Sequence, residues 1–329
     1  MVQVIKGALG FPKVALFGPA TSKQMAAMGE AVAGQGGIAL RFDLHLGRGR
    51  KPPLLASRVR MEAQRLLWDG VEFGDIYAIY IRGRAVQTPE ALPGRLDGVR
   101  QSQWRSRYWQ EQANQATVMG FMQRLLACGR LVVNPLTKGY PEHNAKSWFY
   151  EKLRGAGFLV PKSITTNDPE RVATFLQAHE QGVVVKPMIG VGSTRVVSVA
   201  DRGYLERVRY ASVLLQERVF GEHLRVHVVG DRVVLCVRVI FSGEVDSRVG
   251  IKRVEESLLD PQQEAQIVCA SRFLGLHFCA WDVIREEGGR VFLLDCNPGP
   301  YVMWLGERFS KLILWSLAGY LVNFARDKM

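Results

Sequence analysis

Ala280-Trp281-Asp282-Val283-Ile284, a polar turn from Arg285 to Arg290, and Val291-Phe292-Leu293-Leu294-Asp295-Cys296-Asn297-Pro298-Gly299-Pro300 form the stretch that decides how this chain is read. Two apolar runs joined by a short polar turn predict a β-hairpin, which sets Asp282 near Asp295 across the strands. Side chains alternate along a strand, so Asp295 and Asn297 share a face, with Leu294 and Cys296 turned the other way. Two carboxylates and an amide oxygen are hard donors. With water and phosphate oxygens completing an octahedron they suit Mg²⁺, and neither zinc nor iron. Asp295 and Asn297 would serve equally well as caps of a turn before Pro298, since Asx-Pro turns are common.

Working outward, Val183-Val184-Val185-Lys186-Pro187 is an apolar strand ending in a lysine, and Met188-Ile189-Gly190-Val191-Gly192-Ser193-Thr194-Arg195 follows as a glycine loop. A lysine leaving a strand into such a loop reaches a phosphate, Gly190 and Gly192 let backbone N–H groups approach its oxygens, and Ser193 and Thr194 add hydroxyl donors. The loop is neither a P-loop nor a G-x-G-x-x-G turn, because position 195 is Arg. A hairpin with a solvated lysine stays open as the plainer reading. The third segment runs from Leu214-Leu215-Gln216-Glu217-Arg218-Val219 through Gly221-Glu222-His223 to Leu224-Arg225-Val226-His227. An apolar strand ends there in Gln216 and Glu217, and a glycine hinge leads into the next strand. Such a hinge offers backbone groups around Val219 to an adenine edge and Glu222 or His223 to ribose hydroxyls. A surface turn is the alternative. His223 and His227 lack a third ligand nearby, which argues against zinc.

These segments in this order, preceded by Asn144-Ala145-Lys146 at a helix start, resemble the ATP-grasp superfamily, above all its ribosomal-protein glutamate ligase branch of carboxylate–amine ligases. The Asp282…Asp295-x-Asn297 pattern is similar to that family's metal-binding Asp…Glu-x-Asn, with Asp295 where Glu is usual. The resemblance implies that Lys146 and Lys186 contact ATP phosphates under a mobile Gly190–Thr194 loop. It also implies that Gln216, Glu217 and Val219 line the adenine pocket, with Glu222 or His223 at the ribose. Arg238, or Arg248 in Asp246-Ser247-Arg248, would stabilise the transferring phosphate, and Asp282, Asp295 and Asn297 would bind one or two Mg²⁺. The implied reaction joins a carboxylate to an amine through an acyl phosphate, releasing ADP and phosphate. Within the superfamily the alternative is a peptide-tailoring ligase making side-chain ester or amide links. Outside it stand a non-catalytic nucleotide-binding protein and a nucleic-acid-associated one.

The rest of the chain sets limits. At 329 residues, 47% hydrophobic and 22% charged, it is long enough for two or three compact units, and a formal charge of +12 attracts anions of any kind. No nucleic-acid recognition motif accompanies that charge, so no specific nucleic acid is expected. Five cysteines without a C-x-x-C pair suggest neither a disulfide framework nor a zinc knuckle. Met1 to Pro19 lacks a signal-peptide core, and the apolar Leu312 to Phe324 is shorter than the ~20 residues a bilayer-crossing helix needs. A reducing, cytoplasmic setting without a membrane is expected, with a homo-oligomer left open. The order Lys13–Gly18, Ser22–Ala33, Ile38–Phe42, Asp75–Ile81, a long helix from about Gln101 to Cys128 and Leu131–Val133 reads as strand and helix alternating.

The expected fold is therefore α/β (α+β). Residues 1–135 form an open α/β pre-ATP-grasp domain on the substrate side, 136–215 the small ATP-grasp subdomain, and 216–329 the large one with the Mg site, nucleotide lying between two sheets. Arg82, Arg84, Trp104, Arg105, Arg107 and Tyr108 are concentrated in the first domain. They could hold a small acidic metabolite or a peptide or protein carboxylate, to be joined to an amine nucleophile. A solvated helix face is the plainer reading of each.

Overall fold

The computed structural model describes residues 3–4, 10–44, 58–63, 65–82, 98–188, 194–198, 208–241 and 251–329. The chain divides into two compact units, Met1–Leu136 with Tyr301–Met329, and Thr137–Pro300.

The first unit is built on strands β1 (Gln3–Val4), β2 (Lys13–Gly18), β3 (Ile38–Asp43), β7 (Ile76–Ile81) and β8 (Leu131–Val133), in the order β1-β3-β2-β7-β8. All pairs are parallel except β1 with β3. Strand β2 is buried from Val14 to Phe17, as expected of a central strand covered on both faces. Leu16 meets helix α1 (Lys23–Gly34) at Gly29, and Phe17 meets helix α2 (Gly98–Ala127) at Phe121. Ser22, whose side chain accepts from Met25 N, caps α1. A small sheet of β4 (Val59–Met61), β5 (Leu66–Trp68) and β6 (Val71–Glu72) adds Trp68 to the aromatic core, edge-on to Phe17 at 4.9 Å.

The C-terminal helix α7 (Glu307–Arg326) buries Ile313, Leu314, Leu317, Leu321 and Val322, a stripe at helical spacing, against α1, β2 and β7. Residues 301–329, grouped by sequence order with the large subdomain, thus belong with the first unit. No described helix is long and apolar enough to cross a membrane.

The second unit holds two antiparallel sheets. The smaller, in the order β11-β10-β12-β9, comprises β9 (Ser163–Thr166), β10 (Val183–Lys186), β11 (Arg195–Val197) and β12 (Val213–Glu217). One face packs Val183, Val185 and Leu215 on Val172, Phe175 and Leu176 of helix α5 (Pro169–Ala178), which Asp168 caps through Glu170 N. The opposite face therefore carries Val184, Lys186 and Gln216.

The larger sheet, β15-β14-β13-β16-β17, comprises β13 (Glu222–Val229), β14 (Arg232–Phe241), β15 (Ile251–Glu256), β16 (Phe278–Arg285) and β17 (Val291–Asn297). Leu224, Val226, Cys236, Trp281, Val283, Leu293 and Cys296 pack one face on helices α4 (Lys146–Gly155) and α6 (Pro261–Phe273). A capping box of Asp260 and Gln263 starts α6. Short helix α3 (Tyr140–Asn144) leads into α4 beside β17.

His227 on the central strand β13 is buried, and neither ring nitrogen has a partner among the described residues. Burial, helped by the Arg225 charge, pushes its pKa from 6.5 down to about 3. Below pH 6.5 the unfolded chain takes up a proton here that the folded protein refuses until about pH 3. Stability is therefore present above that window and lost as the pH falls through it, by ~1.4 kcal/mol per pH unit from this one group. Urea unfolding between about pH 6 and pH 4 should show a clearly shallower acid limb for His227→Leu than for wild type. Equal slopes would mean that the ring is not held neutral.

Candidate active site

Strand pairing decides which side chains meet. Asp282 lies opposite Asp295 on β17 and opposite Arg225 on β13, so the two carboxylates and the guanidinium form one row across the sheet. Along the same face, the next row holds Asn297, Ala280 and His227. Arg225 donates to Asp282 Oδ1 at 2.6 Å. Asn297 Oδ1 accepts from Gly299 N at 3.1 Å, so the turn-capping reading of Asn297 holds alongside its place in the row.

The register of β16 and β17 shifts between Asp282 and Val283, which pair with Asp295 and Leu293. Leu294 is left without a cross-strand partner, as in a β-bulge. The bulge presents the Leu294 carbonyl, which accepts from the Tyr150 hydroxyl and, at 3.4 Å, from Lys186 Nζ.

Lys146, buried at the first position of α4, places Nζ 2.7 Å from Asp295 Oδ2. His143 on α3 approaches Asp295 Oδ1 at 3.7 Å and the Cys296 carbonyl at 3.2 Å. Burial acts to raise the Asp295 pKa, but Lys146 and His143 outweigh it and hold the carboxyl well below the usual carboxylate range. Lys186 reaches over from the small sheet to the Tyr150 hydroxyl at 2.9 Å. Burial lowers its pKa to about 8, against the opposing pull of Asp295 and Asp282. Gln216, buried on the same face of the small sheet, lies beside that hydroxyl.

Arg238 is placed elsewhere. It pairs across the strands with Leu224, a core-face residue, and its guanidinium lies 3.3 Å from Glu222, which Arg285 also holds at 2.6 Å. Arg238 and Glu222 thus form an ion-pair cluster on the opposite face from Asp282. On the carboxylate face it is Arg225 of β13 that stands beside the two aspartates. Of the two ribose candidates His223 is on that face, edge-on to Phe241 at 5.4 Å, and burial lowers its pKa.

Glu217 uses its carboxylate on Lys162 N at 2.7 Å and its own N–H on the Lys162 carbonyl. Thr194 is half-buried just before β11. Gly190, Gly192, Ser193 and Arg248 lie outside the described residues, as do Arg84 and the Arg107 side chain. In the first unit Trp104 stacks on Tyr108 at 5.4 Å, while Arg82 donates to Ser22 and lies 5.0 Å from the Tyr301 ring centroid.

The donor set is all oxygen, as a hard divalent cation requires, and one oxygen of Asp282 has no partner among the described residues. No group of three His, Cys, Asp or Glu side chains gathers among those residues, so Asp282 and Asp295 would rely on the Asn297 amide and on oxygens from a ligand. Lys146, Lys186 and Arg225 supply more positive charge than the two carboxylates balance, which favours an anion between the sheets of this unit.

Residues 143–254 match the ATP-grasp domain family. A probable alpha-L-glutamate ligase of Thioalkalivibrio sulfidiphilus (strain HL-EbGR7) is 30% identical over 169 residues, covering 45% of this chain and 56% of that protein, so the chain matches little more than half of its relative's length. Two solved structures are similar over almost the whole chain. The ATP-grasp ligase PsnB, complexed with a minimal precursor, Mg and ADP, is 24% identical with a TM-score of 0.78, covering 95% of this chain and 97% of that one. The macrocyclase MdnC of Microcystis aeruginosa MRC, bound with precursor peptide MdnA, is 21% identical with a TM-score of 0.73, covering 94% and 99%. At these identities the likeness establishes the fold.

Proposed function

We propose that this chain, which has the ATP-grasp fold and carries an ATP-grasp domain over residues 143–254, is an ATP-dependent ligase that couples a carboxylate to an amine. The observation that carries the reading is the convergence, within one unit, of Asp282, Asp295 and Arg225 on one sheet face with Lys146 from a helix and Lys186 from the second sheet. Those charges match a polyphosphate.

A substrate carboxylate oxygen attacks the γ-phosphorus of ATP and ADP departs, leaving an acyl phosphate. An amine then attacks the acyl carbon. The bond to the phosphate oxygen breaks, phosphate leaves with the electron pair, and the proton of the amine passes to phosphate or solvent. Lys146 and Lys186 bind the β- and γ-phosphate oxygens, each through an N–H that its present protein acceptors leave over. Arg225, in place of Arg238, faces the charge that develops on the transferring group. Asp282, Asp295 and Asn297 would hold Mg²⁺, one ion or two, which supplies charge neutralisation at the phosphates. The backbone of Glu217 and Val219 takes the adenine edge and His223 the ribose side.

The whole-chain likeness to ligases solved with precursor peptides favours a narrower reading, in which the carboxylate is a peptide side chain and the nucleophile an amine or hydroxyl of the same peptide. ADP release from Mg-ATP, measured with acidic amino acids, short acidic peptides and amines, tests both. Acceptor-dependent release is expected, strongest with peptides under the narrower reading. A protein that fails to bind Mg-ATP at all would sink the proposal.

A further inference from the structure

Tyr150 belongs to no ligand set considered so far, yet it links three of the elements that carry charge into the site, α4, β10 and β17. It follows Lys146 by one turn of α4, so the two side chains leave the helix on one face. Its ring is buried against Phe149, ring centroids 5.2 Å apart, as part of the core under the large sheet. The hydroxyl accepts from Lys186 Nζ at 2.9 Å and donates to the Leu294 carbonyl, which the bulge beside Asp295 has freed from the ladder. Burial raises the Tyr150 pKa, so the group stays a phenol and keeps the proton it donates. A hydroxyl that accepts from one strand and donates to another fixes both, and Phe at this position would do neither.

Resting on the reading of Lys186 as a phosphate contact, we propose that Tyr150 is a positioning residue for nucleotide binding, its hydroxyl holding the Lys186 ammonium in register with the bulged strand that carries Asp295. The lysine stem is flexible, with several rotamers to choose among, and its ammonium has two described acceptors, the hydroxyl and the bulge carbonyl. Removing the hydroxyl leaves one, at 3.4 Å, and releases the carbonyl as well. The small sheet then loses a polar tie to β17 on the side where the phosphates enter.

The test is a double-mutant cycle read as Mg-ATP affinity by calorimetry, which needs no acceptor substrate. Tyr150→Phe keeps the packed ring and is expected to weaken binding ~10-fold, with the basic limb of the affinity–pH profile moved to lower pH because the ammonium has lost an acceptor. Lys186→Met should weaken binding at least as much, and on that background Tyr150→Phe should add less than about twofold. A purely structural tyrosine would lower the melting temperature and leave affinity and pH profile unmoved. That result, or an equal loss on both backgrounds, overturns the proposal. Should Tyr150→Phe fail to fold, Tyr150→His, which keeps a polar group on a ring, goes through the same cycle. If Lys186→Met alone leaves Mg-ATP affinity unchanged, the reading of Lys186 has failed, a result distinct from loss of coupling.

Discussion

Asp295→Ala is expected to lower acceptor-dependent ADP release by at least ~10³-fold and to destabilise the fold by ~3 kcal/mol or more. The two effects have separate causes. Activity falls because the row facing the phosphates loses one of its two carboxylates and can no longer balance the cations gathered there. Stability falls because Lys146, only 5% exposed at its side chain, is left with its ammonium 2.7 Å from a vanished partner. A buried charge that loses its counterion costs more than the intact pair contributes. Asp295→Asn separates the two. It keeps an oxygen acceptor for Lys146 and should recover a large part of the stability, measured as a urea midpoint, while activity stays low. An alanine variant within tenfold of wild type in single-turnover ADP formation would remove Asp295 from the chemistry, whatever its effect on folding.

That Asp295 faces Asp282 was legible in the sequence, because two apolar runs around a polar turn permit little but a hairpin and alternation then fixes the faces. The apolar runs at Lys13–Gly18, Leu131–Val133 and Val183–Lys186 likewise marked strands. What stayed hidden depends on pairing between distant segments. Arg238 lies on the strand where an arginine was sought, but its side is set by the register that puts it opposite Leu224. The bulge at Leu294 needs the registry of β16 against β17, which no local pattern states. Strand β15 and the short β4, β5 and β6 lack a sustained apolar alternation. The apolar run near the C-terminus stood out in the sequence, but its partner α1 lies almost the whole chain away. Tyr150 was within reach: a polar aromatic four residues after a candidate phosphate-binding lysine, on a helix, shares its face.

The sharpest consequence of the register concerns two arginines that the sequence alone cannot rank. Arg225→Met, which keeps the aliphatic stem and removes the charge, is expected to lower the rate of ADP formation by ~10²–10³-fold, whereas Arg238→Met should stay within about twofold. Arg225 is mostly buried and donates at 2.6 Å to a carboxylate in the row that faces the phosphates. Charge developing on a transferring phosphoryl group there would meet a fixed guanidinium in a partly desolvated setting, where such contacts have their largest effect. Arg238 is half-exposed on the other face, and Glu222, its partner, keeps Arg285 when Arg238 is gone. Its loss therefore strands no buried charge and removes no donor from the site. Arg225→Met, by contrast, leaves Asp282 opposite Asp295 with one cation fewer, so two carboxylates repel across the hairpin and stability should fall by ~1–3 kcal/mol. Mg²⁺ titrated into the variant should recover part of that stability, since a divalent ion can replace the missing positive charge, and should recover little of the rate. If the ranking is reversed, with Arg238→Met crippled and Arg225→Met near wild type, then the face of the large sheet assigned to the phosphates is the wrong one, and Lys146, Lys186 and Asp295 would have to be reassigned with it.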